Sequence, residues 1–258
     1  MSDIIRYEVR DGIAEILLDS PPVNGITDEM LDALMTCLGR AGGDAGVRAI
    51  ILGSTVPGLF CGGLDLKKFR NGSPAEVHGI VDKLYFQLHA LQASLPKPVI
   101  AAISGAVRGG GMSIAITCDM IVAADDATFG YPEMEIGLLP AIHYHHLPRI
   151  VGRYRAFDLL FTGREFDVKE AMELGLVNRS APQAELLDRA RELASIFARK
   201  SPELMRLGKS AFGRATDNGY RQGAASAVDL VSTVFGTSDC AEGLLAFVEK
   251  RRPRWGGA

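Results

Sequence analysis

Three short runs of this chain are mostly apolar: Val47 to Leu52, Pro98 to Gly105 and Met120 to Ala124. Each reads as a core strand, and helical patterns separate them. From Thr27, an N-cap followed by Asp28 and Glu29, the apolar residues Met30, Leu31, Leu34 and Leu38 mark a helix that stops at Gly42-Gly43. Between Pro74 and Leu95, Val77, Ile80, Val81, Leu84, Tyr85, Leu88 and Leu91 recur at three- and four-residue spacing, which predicts an amphipathic helix. Strands alternating with helices imply right-handed crossovers and a largely parallel sheet, hence an α/β fold. At the amino end, residues 4 to 9 and Ile13 to Asp19 flank Asp11-Gly12 and predict an opening hairpin.

No linker divides residues 1–200. Beyond Ser201-Pro202 the pattern changes to three consecutive helices, Glu203 to Ala215, Tyr220 to Phe235 and Cys240 to Arg251. Residues 201–258 hold too few apolar residues for a core of their own, so this tail is expected to pack on the first part or on a neighbouring subunit. The net charge of −3 over 258 residues argues against a nucleic-acid partner, which usually requires a basic field. Cys37, Cys61, Cys118 and Cys240 form no CxxC pair, which favours reduced thiols over a disulfide framework or a zinc site. No apolar run reaches the length of a membrane span and no secretory h-region is visible, so a soluble cytoplasmic protein is expected.

Glycine supplies 29 residues without any collagen-like period, so the glycines serve particular turns. Two of those turns follow predicted strands: Phe60-Cys61-Gly62-Gly63-Leu64-Asp65-Leu66 and Arg108-Gly109-Gly110-Gly111-Met112-Ser113. Glycine lets a ligand approach the main chain, and a helix N-terminus adds positive potential, so both turns can present N–H groups to an anion or a developing oxyanion. A purely structural turn fits a glycine triplet equally well. Neither GxGxxG on the first strand nor GxxxxGK[ST] is present, which disfavours those two modes of nucleotide binding.

These turns belong to a longer ordered set: Pro22-Val23-Asn24-Gly25-Ile26, FCGGLDL, the stretch from KPVIAAISG through RGGGMS to YPEMEIGLLP, VGRYRAFDLLFTGREF and AFVEKRR. In that order they resemble the enoyl-CoA hydratase/isomerase (crotonase) family. The resemblance implies a spiral core of repeated β-β-α turns, C-terminal helices that build a homotrimer or a hexamer formed as a dimer of trimers, and an acyl-CoA thioester as substrate. Coenzyme A would arrive as part of that substrate, with no separate cofactor and no metal. By motif, the resemblance implies an oxyanion hole formed by the N–H groups of Leu64 and Gly110, holding a thioester enolate. It implies a coenzyme A pocket using backbone around Asn24, Gly25, Cys61 and Gly63 in the turn that ends at Asp65. Lys67, Lys68 and Arg70 are candidates for its phosphates or simply a solvated basic face, and Phe247 and Lys250 are candidates to complete the pocket from an adjacent subunit.

The acid/base residues depart from the family's hydratases, which carry one glutamate in GGGxE and a second in a PE dipeptide. This chain keeps Glu133 in Tyr131-Pro132-Glu133 but has Ser113 at the first position. A serine near pH 7 is neither a ready acid nor a base, so the two-carboxylate grip on water is broken. The family's isomerases work with one carboxylate at the Glu133 position, and its hydroxycinnamoyl-CoA hydratase-lyases show the same serine and glutamate pairing. Glu133 is therefore the candidate general acid/base; Ser113 either orients the reacting groups or caps a helix. Glu135 would share a face with Glu133 only in an extended segment.

Many hydratases carry a glycine-rich segment where this chain has Ala141-Ile142-His143-Tyr144-His145-His146-Leu147-Pro148, one residue shorter and bulkier. His143 would align with His146 on a helix, or with His145 in a strand. His143 and Tyr144 are candidates to contact the acyl group, to act as a second acid/base, or to form an aromatic lid or a subunit contact. Hydration, double-bond isomerisation, hydratase-lyase chemistry and ring-opening C–C hydrolysis all stay open, as does a non-catalytic CoA- or RNA-binding role.

Overall fold

The computed structural model describes residues 4–69, 73–216 and 219–255. The expected hairpin is present: β1 (Ile5–Arg10) pairs antiparallel with β2 (Ile13–Leu18). Helix α1 (Asp28–Gly43) begins where expected, because the Thr27 side chain accepts a hydrogen bond from the Met30 N–H. Strand β3 (Ala49–Ser54) starts two residues later than the apolar run suggested and lies parallel to β2.

A short strand that the sequence pattern did not announce, β4 (Gly58–Cys61), precedes α2 (Leu66–Phe69). The predicted amphipathic helix is α3 (Pro74–Asp82), a π turn at Lys83–Gln87, and α4 (Leu88–Ser94). Ser73 and Glu76 close its start as a reciprocal capping box. The π turn sends Lys83 out to Asp28 and Asp32, each at 2.8 Å, which ties this helix to α1.

The run from Pro98 to Gly105 resolves into two strands rather than one. β5 (Val99–Ile103) joins the first sheet, and β6 (Gly105–Arg108) joins a second. Helix α5 (Gly110–Ile116) opens on the glycine triplet, followed by β7 (Met120–Ala124), β8 (Thr128–Gly130) and a 3-10 turn at Pro132–Ile136. Then come α6 (His143–Val151), α7 (Arg153–Thr162), β9 (Phe166–Asp167), α8 (Val168–Glu173), β10 (Arg179–Ala181) and α9 (Leu186–Ala198). The first sheet runs β1-β2-β3-β5-β7-β10, parallel from β2 onward, and the second runs β4-β6-β8-β9. From β3 to β8 successive strands alternate between the two sheets, so the chain winds as a spiral of β-β-α turns.

The tail forms α10 (Pro202–Thr216), α11 (Tyr220–Phe235) and α12 (Ser238–Glu249). α11 packs along α3, and α12 docks on the 3-10 turn that carries Glu133. Leu138, Cys240 and Leu244 form a small apolar cluster there, joined by Leu66 and Ile136. This docking demands a glycine: a Cβ on Gly243 would lie 2.3 Å from the Ile136 carbonyl oxygen. Gly243→Ala is expected to destabilise the protein by about 1–3 kcal/mol, because the clash is with backbone that cannot fold away. Urea unfolding checks this, and an unchanged midpoint would contradict it.

Candidate active site

The two glycine turns meet. Ile26 pairs with Leu64 in an isolated bridge, in which the Ile26 N–H donates to the Gly63 carbonyl and the Asp65 N–H to the Ile26 carbonyl. That pairing turns the Leu64 N–H the other way, toward α5. A Cβ on Gly110 would lie 3.5 Å from Leu64 N, and one on Gly63 would lie 3.3 Å from Gly110 N. Neither amide has an acceptor among the described residues. Two unpaired N–H groups side by side, one of them at the start of a helix, make a cradle for a partly negative oxygen. Ile26 and Leu84 form its apolar wall against Gly110.

Positive φ angles at Gly63 (+94°) and Gly109 (+49°) shape this cradle, and side chains rarely adopt such a backbone. At Gly109 space is also short, since a Cβ would come 3.1 Å from Glu133 Oε1. Glu133 therefore lies directly beside the cradle. Its Oε2 is buried with no hydrogen-bond partner among the described residues. Burial pushes this carboxyl up to about 7, well above the usual carboxylate range, against a smaller opposing effect of its own backbone N–H. A carboxyl poised near neutrality can both take and return a proton. Glu135 does not join it: the 3-10 turn sends that side chain outward, toward Gly163.

Ser113 is not a helix cap. It sits inside the first turn of α5, its N–H donating to the Gly109 carbonyl, and its Oγ lies 3.2 Å from His143 Nε2. The segment around His143 is helical, so His143 shares a face with His146 and not with His145. The ring of Tyr131, fully buried with its hydroxyl unpartnered among the described residues, stands 4.6 Å from the His143 ring. Tyr131 escaped the residue-by-residue reading although it adjoins Glu133; an aromatic residue carries no local mark of a buried, unpaired hydroxyl. Tyr144 stacks on Phe161 instead, at 5.7 Å between centroids.

The other candidates are placed differently. Asn24 is fully buried and its side chain is consumed internally: it accepts from Ser20 N at 2.8 Å and donates to Ser54 Oγ at 2.8 Å and to the Phe60 carbonyl at 2.9 Å. Its carbonyl accepts from the buried thiol of Cys61. Gly25 lies against Asp65. Asp65 accepts from Lys67 N and so caps α2, while the Lys67 side chain is exposed. The Lys68 side chain and Arg70 lie outside the described residues. Phe247 and Lys250 are both exposed, at the end of α12.

Residues 8–258 match the family model described as enoyl-CoA hydratase/isomerase. The chain belongs to the enoyl-CoA hydratase/isomerase family. It is similar to the human enoyl-CoA hydratase domain-containing protein 2, mitochondrial, with 38% identity over 252 residues, covering 95% of this chain and 86% of that one. Among solved structures, it resembles the enoyl-CoA hydratase from Bacillus anthracis with 32% identity, a TM-score of 0.78, and coverage of 99% and 100%. An enoyl-CoA hydratase/isomerase from Xanthobacter autotrophicus Py2 matches with 29% identity, a TM-score of 0.88, and coverage of 96% and 94%. The α/β spiral expected from the family resemblance is the fold observed, and the family acts on acyl-CoA thioesters. No helix among the described residues is long and apolar enough to cross a membrane.

Proposed function

We propose that this enoyl-CoA hydratase/isomerase family enzyme binds an acyl-CoA thioester with its carbonyl oxygen between Leu64 N and Gly110 N, and that Glu133 is its single general acid/base. The carrying observation is Glu133 Oε2, buried and without a hydrogen-bond partner among the described residues, on a carboxylate that lies against Gly109 next to the Leu64 and Gly110 amides, which likewise have no acceptor among the described residues. The amides stabilise the enolate as negative charge moves onto the thioester oxygen, and removing one such donor typically costs roughly 10²–10³ in rate. Glu133 moves a proton at the neighbouring carbon. Hydration and double-bond isomerisation share both steps.

The pocket for coenzyme A uses backbone near Gly25, Cys61 and Gly63, with the exposed Lys67 available to its phosphates. Asn24 serves it indirectly, by clamping the loop. Phe247 and Lys250 face outward at the end of α12, where a neighbouring protomer of a trimer or hexamer would use them. The unpaired cysteines fit a reducing compartment such as the cytoplasm.

Glu133 must be ionised to act as a base, and its folded pKa is about 7. kcat/KM is therefore expected to rise about tenfold per pH unit below 7 and to level off above it. Rates on crotonyl-CoA and on a 3-enoyl-CoA, measured from pH 5 to 9, check this. A profile already flat at pH 5.5 would remove Glu133 as the base.

A further inference from the structure

Ser113 and His143 form a contact that the reading above leaves unused. Both are buried, at 3% and 0% exposure. They approach from different elements, Ser113 from α5 and His143 from the start of α6, with Oγ and Nε2 at 3.2 Å. Burial, with the nearby His146 adding to it, outweighs a smaller opposing hydrogen bond to the Gly109 backbone and pushes the His143 pKa down to about 3, so the ring is neutral at working pH.

A neutral imidazole carries one proton, and the surroundings decide where it sits. On Nδ1 the proton would be buried without an acceptor, since that atom has no partner among the described residues. On Nε2 it is donated to Ser113 Oγ. A buried N–H without an acceptor costs more than an idle ring lone pair, so the proton belongs on Nε2. Ser113 Oγ then accepts from His143, and its own O–H is left to donate. No described residue accepts it, and the carbonyl one turn back, at Gly109, already takes the N–H groups of Met112 and Ser113. Gly109 is also the residue against which Glu133 lies.

We propose that His143 holds Ser113 as a fixed hydrogen-bond donor to the water that Glu133 activates, so that serine and glutamate together replace a pair of carboxylates and the enzyme hydrates a 2-enoyl-CoA. This rests on the assignment of Leu64, Gly110 and Glu133 made above. The water oxygen accepts from Ser113 and gives one proton to the Glu133 carboxylate while it bonds to C3. The C2=C3 electron pair moves onto the thioester oxygen in the amide cradle. Glu133 then returns the proton to C2, so one water is added and nothing is oxidised or reduced. Isomerisation needs no water, so it needs neither Ser113 nor His143; His143 is a positioning residue.

Steady-state hydration of crotonyl-CoA and isomerisation of a 3-enoyl-CoA are compared for the full chain and its variants, with thermal unfolding as a check of folding. Ser113→Ala and His143→Phe are expected to lower kcat for hydration by about ten- to a hundredfold with KM little changed. Ser113→Thr and His143→Gln, which keep the donors, should stay within about fivefold of the parent chain, and isomerisation should stay within that range in all four. Parallel loss of both reactions in Ser113→Ala would overturn the inference, because it marks a structural role. So would a parent chain that isomerises without hydrating, although the reading of Glu133 would survive that result. Full activity of Glu133→Gln in both reactions would instead sink the reading on which the inference rests.

Discussion

Glu133→Gln is expected to lower kcat for every reaction of this enzyme by about 10²–10⁴-fold, the usual contribution of a positioned general acid/base. Glutamine keeps the shape of the side chain beside Gly109 but can neither take nor return a proton. The same change should stabilise the fold at alkaline pH. The folded pKa of Glu133 is raised from 4.5 to about 7, so the folded protein holds a proton that the unfolded chain has released between those values. The stability contributed by that proton is complete below pH 4.5 and is lost as pH rises through 7, a change of roughly 3 kcal/mol at about 1.4 kcal/mol per pH unit. Glutamine removes this loss. Urea unfolding at pH 5 and pH 8.5 should therefore show a smaller fall for the variant than for the parent chain. A variant with parental kcat would remove Glu133 from the chemistry, whereas one with parental pH dependence of stability would show that burial does not strain its ionised form.

The elements legible in the sequence are those whose signals are local. Thr27 followed by two acids and a helical stripe can be read without knowing what packs on it, and α1 appears where it was expected. The long helix from Pro74 onward is equally plain, although nothing in its period announces the π turn that presents Leu84 to Gly110. The second sheet was hidden. Its strands β4, β6 and β8 hold four, four and three residues, too few for a period to show. The change of sheet between Ile103 and Gly105 happens inside one apolar run, and only the pairing partners distinguish its two halves.

The site divides along the same line. Leu64, Gly110 and Glu133 could be named because whole motifs resemble a family, while a glycine triplet by itself supports a turn as readily as an oxyanion hole. The contact between Ser113 and His143 spans 30 residues, so no spacing rule reaches it. Periodicity left His143 with two alternative partners, His145 or His146. The helical conformation of α6 chooses His146 as its face neighbour, and the tertiary placement of the first residue of α6 brings the ring to Ser113. Sequence offered the residue types; tertiary contact decides which of them meet.

Gly110→Ala probes the cradle without touching the base. The new methyl would stand 3.5 Å from Leu64 N and 3.0 Å from Ile26 Cδ1, on the side where the thioester oxygen must approach the two amides. Gly110 does not have a left-handed backbone, and the apolar neighbours are ends of side chains, so the fold should survive the change. What is lost is the alignment of donors with the developing enolate. kcat is accordingly expected to fall by about 10²–10³-fold, as when an oxyanion-hole donor is removed, with KM changing far less because the cradle acts mainly on the transition state. The pKa of Glu133 read from the pH profile should stay near 7, since its burial does not depend on Gly110. Kinetics of this variant together with its pH profile therefore separate the two halves of the site. A fall in kcat with an unmoved profile assigns the loss to the amides, and a variant with parental kcat would show that the enolate is held elsewhere.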